Sequence, residues 1–182
     1  MIDPLTAIKL DRFLSEIHAM PRGKHLGRVK PHKPVMLITV IDLVSTGAIV
    51  GNRIDYNDAL TGHFERLFAV IQRDSDRCHP SEPFFHLRTS GFWFHKPKRG
   101  KEKTYAELDT SGGGSKRILD NIEYAFFDPD SYDVMCNTTA RGKLLESILT
   151  IFFSPEERVS LRAILISDEL RSNARGENAD GN

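Results

Sequence analysis

Residues 30–47 read KPHKPVMLITVIDLVSTG, and the reading of this stretch decides the fold. Pro34 can open a helix, because its fixed φ suits the first turn and that turn needs no backbone N–H. From residue 35 to about 46 the side chains are almost all apolar, so the predicted helix has no wide polar stripe and must be buried on most sides. Gly47 can end it. The Pro31-His32-Lys33-Pro34 segment falls at or just ahead of the first turn, where free N–H groups and the helix dipole favour an anion. A phosphate there would meet imidazole, ammonium and amides together. In most single occurrences of such a segment, the histidine merely caps and the lysine is solvated.

Upstream, Asp3-Pro4 forms an N-cap and first helical position, and Leu5, Ile8, Leu10, Phe13, Leu14 and Ile17 recur at helical spacing, predicting a first helix to about residue 20. Residues 21–34, with Gly23, Gly27 and Pro31 among basic residues, should form a loop. Downstream, 48–54 reads as a short strand and 57–73 as a third helix, with Leu60, Phe64, Leu67, Phe68 and Ile71 turned inward. A polar loop, 74–83, precedes two short aromatic runs, 84–87 and 91–94, which suggest a β-hairpin around Arg88-Thr89-Ser90. Gly112-Gly113-Gly114 reads as a hinge. Segments 115–127 and 139–153 read as amphipathic helices. Ser154-Pro155-Glu156-Glu157 is a capping box that starts the last helix, and 172–182 lacks an apolar pattern and is expected to be a disordered tail. The expected fold is α+β and mainly helical: a helical core with a small hairpin or wing, winged-helix-like, in one domain over 1–171.

The chain has 182 residues, 40% hydrophobic and 27% charged, which is globular composition with length for one sizeable core. The first 20 residues resemble no signal peptide and no apolar run spans a membrane, so a cytoplasmic protein is expected. Two cysteines, Cys78 and Cys136, lack the spacing of a zinc site and are read as reduced thiols. Lys and Arg number 25, and Asp and Glu also 25, which argues against coating DNA by bulk charge. The distribution is uneven. Between Ile17 and Ile41 no acid interrupts Arg22, Lys24, Arg28, Lys30 and Lys33, and a second basic cluster holds Lys96, Lys98, Arg99, Lys101 and Lys103. Acids gather at Asp120, Glu123, Asp128, Asp130 and Asp133, so a basic face and an acidic face are expected, as phosphate binding requires.

Catalytic patterns are missing. Cys78 and His79 are adjacent without a second metal-ligating pair, Gly112 to Lys116 lacks the first glycine and the strand of a phosphate loop, and no nucleophile sits on a recognisable elbow. Glu102-Lys103 could be half of a metal nuclease set, but lies in a charged loop. No enzyme activity, cofactor or metal is expected. The loop ending Cys78-His79-Pro80-Ser81-Glu82-Pro83-Phe84 pairs rigid proline surface with nearby cations. Sulfur replacing a non-bridging phosphate oxygen is larger, more polarizable and poorly hydrated, so a cavity walled by Pro CH groups and Lys methylenes should favour it. One such contact contributes about 1 kcal/mol, comparable to burying a methylene.

The string KPHKPVMLITVIDLVSTG, followed by HPSEPFFHLRTSGFW at 79–93, resembles the sulfur-binding domain found beside HNH nuclease modules in McrA-like type IV restriction endonucleases. That family shows an APH(K/R)P segment leading into a leucine-rich helix, then a YPF-aromatic-x-L element. The resemblance implies a reader of phosphorothioated double-stranded DNA, with the sulfur in a shallow apolar pocket formed partly by the proline that corresponds to Pro83. It implies that His32 and Lys33 hold the modified linkage and that the loop from Arg73 to Ser81 reads bases, with Arg77 and His79 as candidates. Arg22, Lys24, Arg28, Lys30, Lys96, Lys98, Arg99 and Lys101 are the candidate phosphate contacts. A nuclease domain or subunit is the implied partner, since the chain carries no nuclease motif of its own. Glu82 stands where the family has tyrosine, and would repel phosphate unless it turns away or accepts from a cytosine amine. Lys33 cannot make the planar bidentate contact of an arginine. Two other readings compete: a winged-helix regulator indifferent to sulfur, and a protein-interaction domain with Phe92, Trp93 and Phe94 as a docking patch. The alternation around Trp93 favours placing it in the core.

Overall fold

The computed structural model describes residues 2–25, 28–73, 76–108 and 114–179, with side chains for all of these except 25, 28 and 168–179. Helix α1 (Pro4–Ala19) starts as expected, with Asp3 accepting from the Thr6 N–H at 3.0 Å. Residues 21–31 are not wholly loop: β1 (Lys24–His25) and β2 (Arg28–Val29) pair antiparallel, and the Lys30 N–H donates to the Gly23 carbonyl at 2.8 Å. Helix α2 (His32–Ser45) begins two residues earlier than the apolar pattern indicated. Val35, Met36, Leu37, Ile38, Val40 and Ile41 are all fully buried, as the unbroken apolar run requires. Gly47, at φ 73°, takes the left-handed conformation that ends the helix. Helix α2 is the axis of the molecule, and α3 (Asp58–Ala69) packs along it behind its Asn57 cap.

The strand expected over 48–54 is reduced to one bridge, Ile54 with Ala125. Gly51 has φ 76°, which interrupts an extended run, and Asn52 instead clamps the Phe127 backbone through both its amide atoms at 2.8 Å. The larger correction lies at 81–97. The aromatic run expected as a first hairpin strand is helix α4 (Ser81–His86), followed by a 3-10 turn, Leu87–Thr89. The first turn of α4 explains this. Pro80 is the N-cap with φ −60° and ψ −24°, and Pro83 is the third helical residue, both at positions whose N–H would be free anyway.

Strand β3 (Trp93–Pro97) therefore has no adjacent partner and pairs antiparallel with β4 (Ile122–Phe127), which follows the short helices α5 (Glu102–Ala106) and α6 (Gly114–Asn121). The helix expected over 115–127 thus changes to strand at Ile122, where IEYAFF supplies the aromatic and branched residues of a pleated surface. The Gly112-Gly113 part of the expected hinge lies outside the described residues. Helix α7 (Pro129–Cys136), capped by Asp128, was not expected, and α8 (Thr138–Phe152) and α9 (Pro155–Ala179) complete the chain. The capping box forms as read: the Glu157 N–H donates to Ser154 Oγ at 3.2 Å and the Ser154 N–H to Glu157 Oε2 at 3.0 Å. Helical backbone continues through Ala179, where 172–182 was expected without regular structure. Among the described residues no helix is long and apolar enough to cross a membrane.

The fold is a mainly helical α+β arrangement, as expected, with its small sheet built from distant strands. Trp93 and Phe92 are fully buried, Phe13 packs against Phe92 and Phe127, and only Phe94 of the expected aromatic patch is exposed. The acids expected to form an opposing face are paired: Asp120 with Lys116, Glu123 with Arg53, Asp128 with Arg12, and Asp130 and Asp133 with Lys9.

Candidate nucleic-acid interface

Helices α2 and α4 start with the same arrangement. Pro31-His32-Lys33-Pro34 and Pro80-Ser81-Glu82-Pro83 each place proline at the N-cap and at the third helical position, with a two-residue step between. The two first turns border one open pocket of about 370 Å³, lined by Pro21, Arg22, Gly23, Lys30, His32, Lys33, Glu82, Pro83 and His86. Segments about fifty residues apart in sequence are thereby brought to one surface by the packing of α4 on α2.

Lys33 crosses this pocket. Its ammonium reaches Thr89 Oγ1 at 3.4 Å, beyond good hydrogen-bond length, and among the described residues no carboxylate pairs with it. Burial pushes its pKa down to about 8. A half-buried cation without a counterion costs free energy in the empty protein, and an anion entering the pocket would recover it. His32 is 6% exposed and packs on Phe68 with ring centroids 4.7 Å apart. Its Nε2 donates to the Arg77 carbonyl at 2.8 Å, which ties the 73–81 loop to the start of α2. That bond leaves Nδ1 as an acceptor; it is buried and has no partner among the described residues, and burial lowers the ring's pKa, so the neutral form is favoured. Neutral Nδ1 suits a donor such as a base amine better than a phosphate oxygen.

Pro83 is buried and lines the pocket wall, beside His86 one turn along. Glu82 faces Lys30, with 3.9 Å between Nζ and the carboxylate. The position of α4 is fixed from behind by β3: Trp93 Nε1 and His95 Nε2 both donate to the Phe84 carbonyl at 3.0 Å. His95 Nδ1 accepts from the Tyr105 hydroxyl at 3.0 Å, and burial holds the ring's pKa down at about 4, so it stays neutral.

The other sequence-predicted residues divide. Arg22, Lys30, His32, Lys33, Glu82 and Pro83 converge on the pocket. Ser81 is buried and does not line it, while Arg77 and His79 are exposed on the neighbouring loop, which Asp76 orders by accepting from the Arg73 N–H at 3.1 Å. Arg73 turns toward α9, its guanidinium 3.4 Å from Glu157. Lys24 is exposed on β1, and the Arg28 side chain lies outside what is described. Lys96, Lys98, Arg99 and Lys101 are exposed at the far end of β3 and the turn after it, and none lines the pocket. Pro21, Gly23 and His86 were missed. His86 was findable, since it lies three residues after Pro83 and shares its face once the segment is read as helix.

No protein-family model matches the chain, and no curated protein matches it. Among solved structures it is similar to the sulfur binding domain of SprMcrA, described as complexed with phosphorothioated DNA. The identity is 14%, the alignment covers 84% of this chain and 95% of that one, and the TM-score is 0.60. At that identity the likeness is one of fold, and it extends over nearly the whole of the solved domain.

Proposed function

We propose that the chain binds double-stranded DNA and recognises a phosphorothioate linkage in the pocket between the first turns of α2 and α4. The observation that carries this reading is the convergence of Lys33, a half-buried cation without a carboxylate partner among the described residues, and Pro83, an apolar wall, on one open pocket. The charge of the linkage meets Lys33, Arg22 and Lys30. The sulfur, large and poorly hydrated, lies against the Pro83 ring and the methylenes of Lys33. The fold shared with a domain solved on phosphorothioated DNA supports the same assignment.

Arg77 and His79, exposed on the loop that His32 ties to α2, would meet base edges in the major groove. Lys24, Arg28, Lys96, Lys98, Arg99 and Lys101 supply outer phosphate contacts that add affinity without sequence preference. Such a reader would direct a nuclease domain or subunit to modified DNA.

The test is fluorescence-polarisation binding to matched duplexes carrying oxygen or sulfur at one linkage, across several sequence contexts at near-physiological salt. The expected result is tighter binding of the sulfur duplex. Pro83→Ala should erase that preference, and Lys33→Ala should weaken binding to both duplexes by on the order of tenfold, as loss of one charge-assisted contact predicts. Equal affinity of the native chain for both duplexes, or no binding in any context, would overturn the proposal.

A further inference from the structure

A second pocket, of about 290 Å³, adjoins the first and shares Arg22 and Lys30 with it. Its other walls come from distant parts of the chain: Val29, Pro31 and Pro34 up to the start of α2, Phe152, Phe153 and Ser154 at the end of α8, and Arg73 with Glu157. The Arg22 guanidinium lies over the Phe152 ring, 4.6 Å from its centroid, so the shared cation is held at the boundary of the two pockets. The Arg73 side chain is 62% exposed at the rim. Glu157 is the one carboxylate among the described lining residues; it is 17% exposed, accepts from the Ser154 N–H through Oε2, and lies 3.4 Å from Arg73 through Oε1, a partner that a phosphate at the rim would share. Cations at the rim and apolar rings in the wall match the two halves of one backbone unit, an anionic phosphate and the C–H face of a sugar.

A strand with one linkage in the first pocket must run on past Arg22. We infer that the second pocket seats the adjacent backbone unit of that strand, its phosphate between Arg22 and Arg73 and its deoxyribose against Phe152 and Pro31. This rests on the DNA-binding reading above and extends it. It moves Arg73 from base reading to backbone holding, and makes the footprint one-sided, because the second pocket adjoins only one flank of the first. Phe152 has two parts here: it lines the pocket wall that faces the sugar, and its ring holds the Arg22 guanidinium.

The experiment uses the full chain, Arg73→Ala and Phe152→Leu, each confirmed as folded by thermal unfolding. The duplexes carry one phosphorothioate and a single uncharged methylphosphonate placed in turn at each neighbouring linkage. For the native chain, neutralising the adjacent phosphate on one side only should weaken binding by on the order of tenfold. Arg73→Ala should be markedly less sensitive to that same methylphosphonate, the remainder being carried by Arg22, should weaken sulfur and oxygen duplexes by one common factor, and should lower the slope of log affinity against log salt by about one. Phe152→Leu should reduce the methylphosphonate effect in part. An Arg73→Ala chain that keeps the full effect at every position, or that alters the sulfur-to-oxygen ratio, overturns the inference. Equal binding of both duplexes by the native chain overturns sulfur recognition instead, and coupling between Arg73 and one phosphate then decides the second pocket by itself.

Discussion

Lys33 sets the pH behaviour of the pocket, and its two effects have opposite signs. Burial lowers its pKa to about 8 in the folded chain, against about 10.4 when solvated. Between those values the unfolded chain binds more protons, so the empty protein gains stability as pH rises through that window. Binding runs the other way. A phosphate beside the ammonium favours the charged form, so the complex takes up a proton above about pH 8, and affinity for DNA should be level below about pH 7 and fall as pH rises past 8, approaching tenfold per unit. A polarisation series from pH 6.5 to pH 9.5 checks this, at fixed ionic strength because the contact is also salt-sensitive. Lys33→Arg, always protonated, should remove the decline. A decline that survives the substitution would place the titration on another group.

At the level of elements, α4 carries the pocket wall, and its anchor is titratable. Trp93 and His95 donate to the same Phe84 carbonyl from β3, and His95 is neutral because burial lowers its pKa to about 4. Its unfolded value is near 6.5. Between pH 6.5 and pH 4 the unfolded chain binds the extra proton, so folding stability should fall with pH over that window, by on the order of 3 kcal/mol in full. Thermal unfolding at pH 7 and at pH 4.5 measures the decline, and His95→Gln, which keeps a donor but cannot charge, should flatten it. The same region shows where sequence reading stopped. Helices α1, α2, α3, α8 and the start of α9 were legible because each has a cap residue and a helical apolar period, or is buried outright. Residues 81–87 have neither. Their helix depends on two prolines at first-turn positions, and without that recognition an aromatic run between turns reads as strand. Strand β4 was hidden for a related reason, since Ile118 and Ile122 keep helical spacing across the boundary at Asn121. The residues that line the pocket were more legible than the elements that hold them. His32, Lys33 and Pro83 were named from chemistry and resemblance, whereas Pro21, Gly23 and His86 join the pocket lining only once the chain is folded, His86 through the packing of α4 on α2.

For the whole molecule, a net charge of zero makes the arrangement of cations decisive. Many surface cations are occupied internally: Lys9 and Arg12 hold the acids of α7 and its cap, Arg53 holds Asp55 and Glu123, and Lys116 holds Asp120. Among the described residues Lys33 has no such partner, and Arg22 stacks on a ring. Few phosphates should therefore be neutralised at the pockets, and each contributes about −0.9 to the salt slope on B-DNA. A native slope between about −2 and −4 would match contacts confined to the two pockets. The second basic cluster lies outside both pockets, so it can add only flanking contacts. Reversing two of its charges, in Lys98→Glu with Lys101→Glu, should weaken sulfur and oxygen duplexes by the same factor and leave their ratio intact. A changed ratio would mean that the cluster reaches the modified linkage itself, which its position at the far end of β3 argues against. An unchanged affinity at low salt would mean that these lysines are solvated and that the two pockets carry the whole electrostatic attraction.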